Sequence, residues 1–187
     1  MTLRIIGGSL KGKPLASPKG LAVRPTAGRV REAVFNILYS RIQAAFVLDL
    51  FAGTGAFGIE ALSRGASRVV FVDNNPASLD VIRRNIQVCG LEHACAVFRQ
   101  DAGRRLSGLD QSHTAFDIVF MDPPYGQSAV SSTLAVLDES SVLKNGSLII
   151  AEHSLKESAD ISGSPFRLID QRKYGGTLVS FFEYMIN

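Results

Sequence analysis

The 187-residue chain predicts an α/β fold: a seven-stranded, mostly parallel sheet, helices on both faces and an antiparallel hairpin at the end. Three observations carry that reading. From Phe46 onward, short apolar runs alternate with segments of helical periodicity, the pattern of a parallel sheet covered on both sides. A glycine-rich turn, Gly53-Thr54-Gly55, follows the first of those runs. The last two β-rich runs flank Gly175-Gly176 with no helix between them, which is hairpin chemistry.

The elements follow in order. Leu3–Ile6 is a short apolar run, and glycines and prolines then punctuate the chain up to Pro25, giving a turn-rich segment with one short hairpin. A helix is predicted from a Thr26 cap to about Ala44. Its apolar residues Val30, Ala33, Val34, Ile37, Leu38 and Ile42 form one face, with Arg29, Arg31, Glu32 and Arg41 outside it. Phe46–Leu50 is a strand, Ala56–Arg64 a helix and Arg68–Val72 a strand. Pro76–Val88 is a helix, with proline in its first turn and Gly90 just past its end. Cys95–Arg99 and Phe116–Met121 are strands, Val130–Leu137 is helical, and Ser147–Glu152 is the next strand. Phe166–Arg172 and Thr177–Tyr184 close the chain as the hairpin.

Composition sets the class. At 46% hydrophobic and 20% charged residues the chain reads as an ordinary globular protein able to bury about 70% of its unfolded surface. No apolar run approaches the roughly 20 residues that cross a bilayer, and the N-terminus lacks a secretory pattern, so a cytoplasmic protein is expected. Cys89 and Cys95 are expected as free thiols, and the scattered His93, His113 and His153 suggest no metal site. The net charge of +3 is unevenly spread. Residues 1–31 hold seven basic side chains and no acidic one, whereas the rest holds 13 basic and 17 acidic. A basic leader on a mildly acidic body suits a polyanion. The expected organisation is one domain, 1–187, with a basic extension at 1–25 and a catalytic core at 26–187.

The chemistry concentrates at strand ends. Asp122-Pro123-Pro124-Tyr125 follows the Phe116–Met121 strand, and two consecutive prolines cannot continue a hydrogen-bonded ladder. The break leaves a carboxylate, carbonyl acceptors and an aromatic ring at a carboxyl edge, where open α/β sheets bind ligands. Such a set suits a planar substrate bearing an amino group. Gly53, Gly55 and Gly58 satisfy the dinucleotide pattern, and Asp73 lies 20 residues after Gly53 at the end of the next strand. A nicotinamide-dependent oxidoreductase therefore competes with a protein that binds another adenosine-containing cofactor. Asp49 precedes the glycines, where a negative charge gains nothing from a phosphate but favours a sulfonium and an amino acid. Asp73 is placed to accept two ribose hydroxyls, and Asp101, after the third strand, to accept an adenine amino group.

The chain resembles the class I S-adenosylmethionine-dependent methyltransferases, and within them the bacterial 16S ribosomal RNA guanine-N2 methyltransferase family called RsmD. The marks are Arg4-Ile5-Ile6-Gly7-Gly8, Arg24-Pro25-Thr26 with Arg29-Val30-Arg31-Glu32-Ala33-Val34-Phe35-Asn36, and Leu48-Asp49-Leu50-Phe51-Ala52-Gly53-Thr54-Gly55. Glu60-Ala61-Leu62-Ser63-Arg64-Gly65-Ala66 and Asp122-Pro123-Pro124-Tyr125 complete them. The family more often has Glu at the position of Asp73 and Phe at that of Tyr125. The resemblance implies a Rossmann-like core, S-adenosyl-L-methionine as cofactor, and methyl transfer to a guanine amine of 16S rRNA in the small ribosomal subunit or an assembly intermediate. Cofactor contact falls to Asp49, Phe51, Ala52, Gly53, Thr54, Gly55, Asp73, Asn74, Asp101, Ala102 and Asp122. Catalysis falls to Asp122, the Pro123 carbonyl and Tyr125, with Gln127 and Ser128 near the base. RNA contact falls to Arg4, Lys11, Lys13, Arg24, Thr26, Arg29 and Arg31, since guanidinium pairs with phosphate bidentately. The competing readings are a DNA adenine or cytosine amino-methyltransferase and a non-catalytic RNA-binding ribosome-assembly factor. A monomer is expected.

Overall fold

A computed structural model describes residues 3–17, 25–104, 106, 108–109, 115–124, 128–157 and 159–186, with only the backbone of 25–27. The elements run α1 (Pro25–Ile37), β1 (Phe46–Leu50), α2 (Ala56–Ser63), β2 (Arg68–Asp73), α3 (Pro76–Cys89) and β3 (Cys95–Arg99). Then come β4 (Phe116–Met121), α4 (Ala129–Asp138), β5 (Leu143–Ser154), β6 (Phe166–Tyr174) and β7 (Thr177–Tyr184). Seven strands form one sheet in the order β3-β2-β1-β4-β5-β7-β6. Strands β1 to β5 pair in parallel, and β7 pairs antiparallel with both β5 and β6. The chain winds outward from β1 to β3 and then returns to β4 on the other side of β1. That reversal opens a crevice between β1 and β4 at their carboxyl ends.

Alternation along each strand sorts the two faces. Val47, Val69, Phe71, Ile118, Phe120, Leu148 and Ile150 point to the face covered by α1, α2 and α3. Leu48, Leu50, Val72, Val119, Met121 and Ile149 point to the face covered by α4 and by Leu106 and Leu109. Each helix turns its apolar stripe to the sheet, as Leu79, Ile82 and Ile86 do in α3. Asn75 caps α3 by accepting from Ala77 N–H at 2.9 Å, and Gly90 ends it at φ 71°.

Helix α1 stops at Ile37, seven residues short of the predicted Ala44. The Leu38 carbonyl accepts from both Arg41 and Ile42 N–H, and Ala44, at φ 59°, donates to the Gly65 carbonyl. Tight turns thus replace helix while still burying Leu38 and Ile42. Strand β5 begins at Leu143, four residues before the predicted start, with a register shift against β4 between Phe116 and Ile118. A 3₁₀ turn at Glu92–Ala94 had no separate signal in the sequence.

The N-terminal segment lies against the body. Arg4 and Pro14 form an antiparallel bridge, and Leu3, Ile5 and Leu15 are buried in the core of the α1–α3 face. Glu60 of α2, fully buried, accepts Ile6 N–H at 2.8 Å and Gly7 N–H at 2.7 Å. The Ser63 hydroxyl donates to the Gly7 carbonyl at 2.6 Å and accepts Leu10 N–H at 2.9 Å. Among the described residues no helix is long and apolar enough to cross a membrane.

Candidate active site

The site forms where the apolar face of the sheet gives way to carboxylates. In β2 the run Val69–Phe71 continues to Asp73, and in β1 Val47 continues to Asp49 on the same α1–α3 face. In β4, Ile118 and Phe120 lead by the same two-residue repeat to Asp122. A cavity of about 490 Å³, within the ordinary size of ligand pockets, opens over the ends of β1, β4 and β5, and Asp73 of β2 stands off its wall. Asp49, Phe51–Thr54 and Ser78 line one part of it, and Met121–Pro124 another.

Local geometry explains the loop. Phe51 leaves β1 at φ 57°, a left-handed conformation that costs a non-glycine residue free energy and that clusters at functional sites. Gly53, at φ 58°, donates its N–H to Asp73 Oδ2 at 2.8 Å, so the second strand's carboxylate fixes the loop directly. Asp73 Oδ1 accepts Asn75 N–H at 2.8 Å. Each oxygen keeps acceptor capacity beyond those bonds, as a diol-binding carboxylate requires. Gly58 is needed for a different reason. A Cβ there would collide with the Phe71 ring and with Val69, so its lack of a side chain lets α2 close on β2.

Asp49 is 4% exposed and accepts Gly58 N–H at 2.9 Å. Burial pushes its carboxyl up to about 8; the Gly58 bond opposes this, and the charges of Asp73 and Asp122 add to it. A cation bound in the cavity would relieve that strain. The residues therefore fit S-adenosylmethionine: a cationic centre for Asp49, a ribose diol for Asp73 and an open glycine backbone between them.

The sequence-predicted residues divide. Asp49, Phe51, Ala52, Gly53, Thr54, Asp122 and Pro123 line one cavity. Gly55 stands just behind, at the start of α2 with φ 73°, and Asp73 acts through Gly53. Asn74 is exposed beside it. Asp101 is exposed, accepts Gly103 N–H at 3.2 Å and pairs with Arg104 at 3.3 Å. Neither Asp101 nor the buried Ala102 is on the cavity wall, so the adenine end is not closed around them. Tyr125, Gln127 and Arg24 lie outside the described residues, as does the Thr26 side chain. Ser128 adopts φ 57° at the start of α4.

Arg31 requires a correction. It was expected on the solvent face of α1 as an RNA contact, yet it is 3% exposed. Its Nη2 donates to the Arg4 carbonyl at 2.6 Å and its Nε stands 3.6 Å from Glu60 Oε2. Burial lowers its pKa, opposed by Glu60. The spacing already held the signal, because Arg31, Val34, Phe35 and Leu38 are three and four residues apart on one face. Arg4 donates Nη1–H to the Gly12 carbonyl at 2.9 Å from an exposed position. Lys11 and Arg29 are exposed and Lys13 is half-buried. Residues that sequence reasoning missed on the wall include Leu3, Ser17, Val30, Val34, Glu152 and Val179, brought there only by the tertiary fold. Cys89 and Cys95 are free thiols, the latter pushed up to about 12 chiefly by burial.

The fold, the glycine loop and the Asp122-Pro123-Pro124 edge that shares its cavity are those of a class I, S-adenosylmethionine-dependent methyltransferase, and the relatives bear this class out. Residues 3–183 match the family described as Conserved hypothetical protein 95, and the chain belongs to that family. It is 35% identical over 154 residues to ribosomal RNA small subunit methyltransferase D of Escherichia coli, covering 82% of this chain and 76% of that one. It is 33% identical over 181 residues to YlbH of Bacillus subtilis, covering 97% and 98%. The solved structure of yhhF from Escherichia coli superposes with a TM-score of 0.85 at 30% identity over 100% of both chains. The family resemblance read from the sequence is thereby shown.

Proposed function

We propose that this protein transfers the methyl group of S-adenosylmethionine to the N2 amine of a guanine in 16S ribosomal RNA. It acts as a cytoplasmic, monomeric, single-domain enzyme on the small subunit or an assembly intermediate. The observation that carries the reading is the shared cavity, which is lined both by the glycine loop after β1 and by Asp122-Pro123-Pro124 after β4. Relatives named as small-subunit ribosomal RNA methyltransferases support the substrate class.

The bound cofactor supplies a methyl carbon on a sulfonium, an electrophile whose leaving group is a neutral thioether. The chain's work is then orientation and acceptance of charge. Asp122 and the Pro123 carbonyl accept the two hydrogens of the amine, turning its lone pair toward the methyl carbon. Pro123, buried and without an N–H, offers only an acceptor. Methyl transfer from the bound cofactor would leave the amine nitrogen acidic, and Asp122 is the group that takes its proton and passes it to water. Tyr125 stacks on the base, a contact worth about 1–3 kcal/mol. Arg4, Lys11, Lys13, Arg24 and Arg29 contact RNA phosphates, and the guanine is flipped into the cavity.

The test uses purified protein, labelled S-adenosylmethionine and small subunits from cells lacking the gene, read by nucleoside mass spectrometry. Label is expected in N2-methylguanosine, falling about 10²–10³-fold in Asp122→Ala. Label in another base rejects the substrate. No label in any RNA or DNA, despite cofactor binding, rejects the enzyme reading.

A further inference from the structure

We propose that Glu152 is the residue that reads the target base, its carboxylate accepting the N1–H of the guanine whose N2 amine is methylated. The inference rests on the guanine reading above and adds the source of its selectivity. Three carboxylates at the sheet's carboxyl edge have tasks in the reading above: Asp73 and Asp49 toward the cofactor, Asp122 toward the amine. Asp101 lies off the cavity wall, and Glu152, which lines the cavity, is used by none of those tasks.

Its position is set by register. In β5 the residues Leu148 and Ile150 belong to the core of the α1–α3 face, and Glu152 is the next member of that two-residue repeat. A charged side chain thus stands where the strand's apolar pattern calls for another core residue. Met121 of β4 pairs with Ala151 of β5 in parallel register, so Asp122 and Glu152 each occupy the position immediately after a paired residue. Both line the same cavity. Neighbouring strands lie about 4.8 Å apart, so carboxylates from their ends can address two adjacent groups on one base edge. Val34 from α1, Phe120, Ile150 and Val179, which pairs with Glu152 between β5 and β7, give the cavity apolar lining, and Arg31 lines it as well. Apolar lining of this kind suits the faces of a purine, leaving its edge to the acids.

Guanine places an N1–H directly beside its N2 amine. A carboxylate at that point gains a charge-assisted hydrogen bond. Adenine and 2-aminopurine present a lone pair there, which a carboxylate repels. A site built around a particular N–H rejects analogues that lack it far more strongly than shape alone allows.

The experiment compares wild type, Glu152→Gln and Glu152→Ala on small subunits carrying either guanine or 2-aminopurine at the methylated position. Affinity for S-adenosylhomocysteine and melting temperature are measured alongside. 2-Aminopurine keeps the reacting amine but has no N1–H, and the glutamine amide can donate to its N1. Glu152→Gln is expected to lower kcat/KM on guanine by about 30-fold or more, with cofactor affinity within about twofold. The ratio of 2-aminopurine to guanine methylation should rise at least about tenfold. Guanine methylation within about threefold of wild type, an unchanged ratio, or a loss that tracks cofactor binding or melting temperature would each overturn the proposal. Wild-type protein that labels no guanine N2 overturns the function reading itself, and this inference with it.

Discussion

Glu60 and Asp49 are buried carboxylates on the same side of the sheet, and the fold treats them in opposite ways. Glu60 accepts two backbone N–H groups, binds Arg64 Nε at 2.8 Å and faces Arg31 Nε at 3.6 Å. Asp49 accepts Gly58 N–H and otherwise sees the like charges of Asp73 and Asp122, which help hold its carboxyl up near 8. The first arrangement is a closed ionic network that fixes the N-terminal segment to α2. The second leaves electrostatic demand that a cationic ligand can meet. Burial alone does not distinguish a structural acid from a functional one; the company it keeps does.

The largest expected effect tests the closed network. Glu60→Gln leaves Arg31 and Arg64 facing an amide and should cost about 3–5 kcal/mol of stability, the range for breaking a buried pair. Urea unfolding gives the loss. Affinity for S-adenosylhomocysteine, measured on the folded fraction, should change by less than about twofold. Unchanged stability would show that the network is dispensable and erase the contrast with Asp49.

The two regions meet at Asn85 of α3. Its Oδ1 accepts Ala16 N–H at 2.7 Å, and its Nδ2 donates to the carbonyls of Ala16 and Thr54 at 3.0 and 2.9 Å. One buried amide therefore ties the N-terminal segment to the glycine loop. Asn85→Ala leaves those backbone groups short of partners, at a cost of about 2–3 kcal/mol. It should also weaken S-adenosylhomocysteine binding roughly threefold by loosening Thr54. Lost stability with unaltered affinity would mean that the two regions are independent.

Much of this contrast was legible in the sequence, and the missing part has a physical cause. Short apolar runs located all seven strands, the central ones buried on both faces of the sheet, and period-3.6 patterns located the helices α2, α3 and α4, each of which buries one face against it. The glycine loop, Asp49, Asp73 and Asp122 were legible because they sit at predictable strand ends. Arg31 was misread although its spacing placed it among Val34, Phe35 and Leu38. A buried arginine is credible only once its partner is known, and Glu60 lies 29 residues away on another helix. Glu152 was missed because a polar residue near a strand's end looks like solvent exposure until the neighbouring strand's register is known. The turns after Ile37 were hidden because Leu38 and Ile42 keep helical spacing while the backbone does not.

The smallest expected effect is also the sharpest probe of Asp49. Its folded carboxyl titrates near 8 against an ordinary 3.8. Between those values the folded protein holds a proton that the unfolded chain has lost. That contribution to stability is fully present below about pH 4 and declines as pH rises toward 8. Asp49→Asn should abolish this decline, seen as a smaller difference in urea midpoint between pH 5 and pH 8 than in wild type. Binding inverts the requirement, since a sulfonium favours the ionised carboxyl. Wild-type affinity for S-adenosylmethionine, relative to S-adenosylhomocysteine, should rise about tenfold from pH 6.5 to 8. Calorimetry at pH 7 should detect proton release with the sulfonium ligand. A flat pH profile, or one that survives in Asp49→Asn, would assign the cation's recognition to another group and leave Asp49 as structural as Glu60.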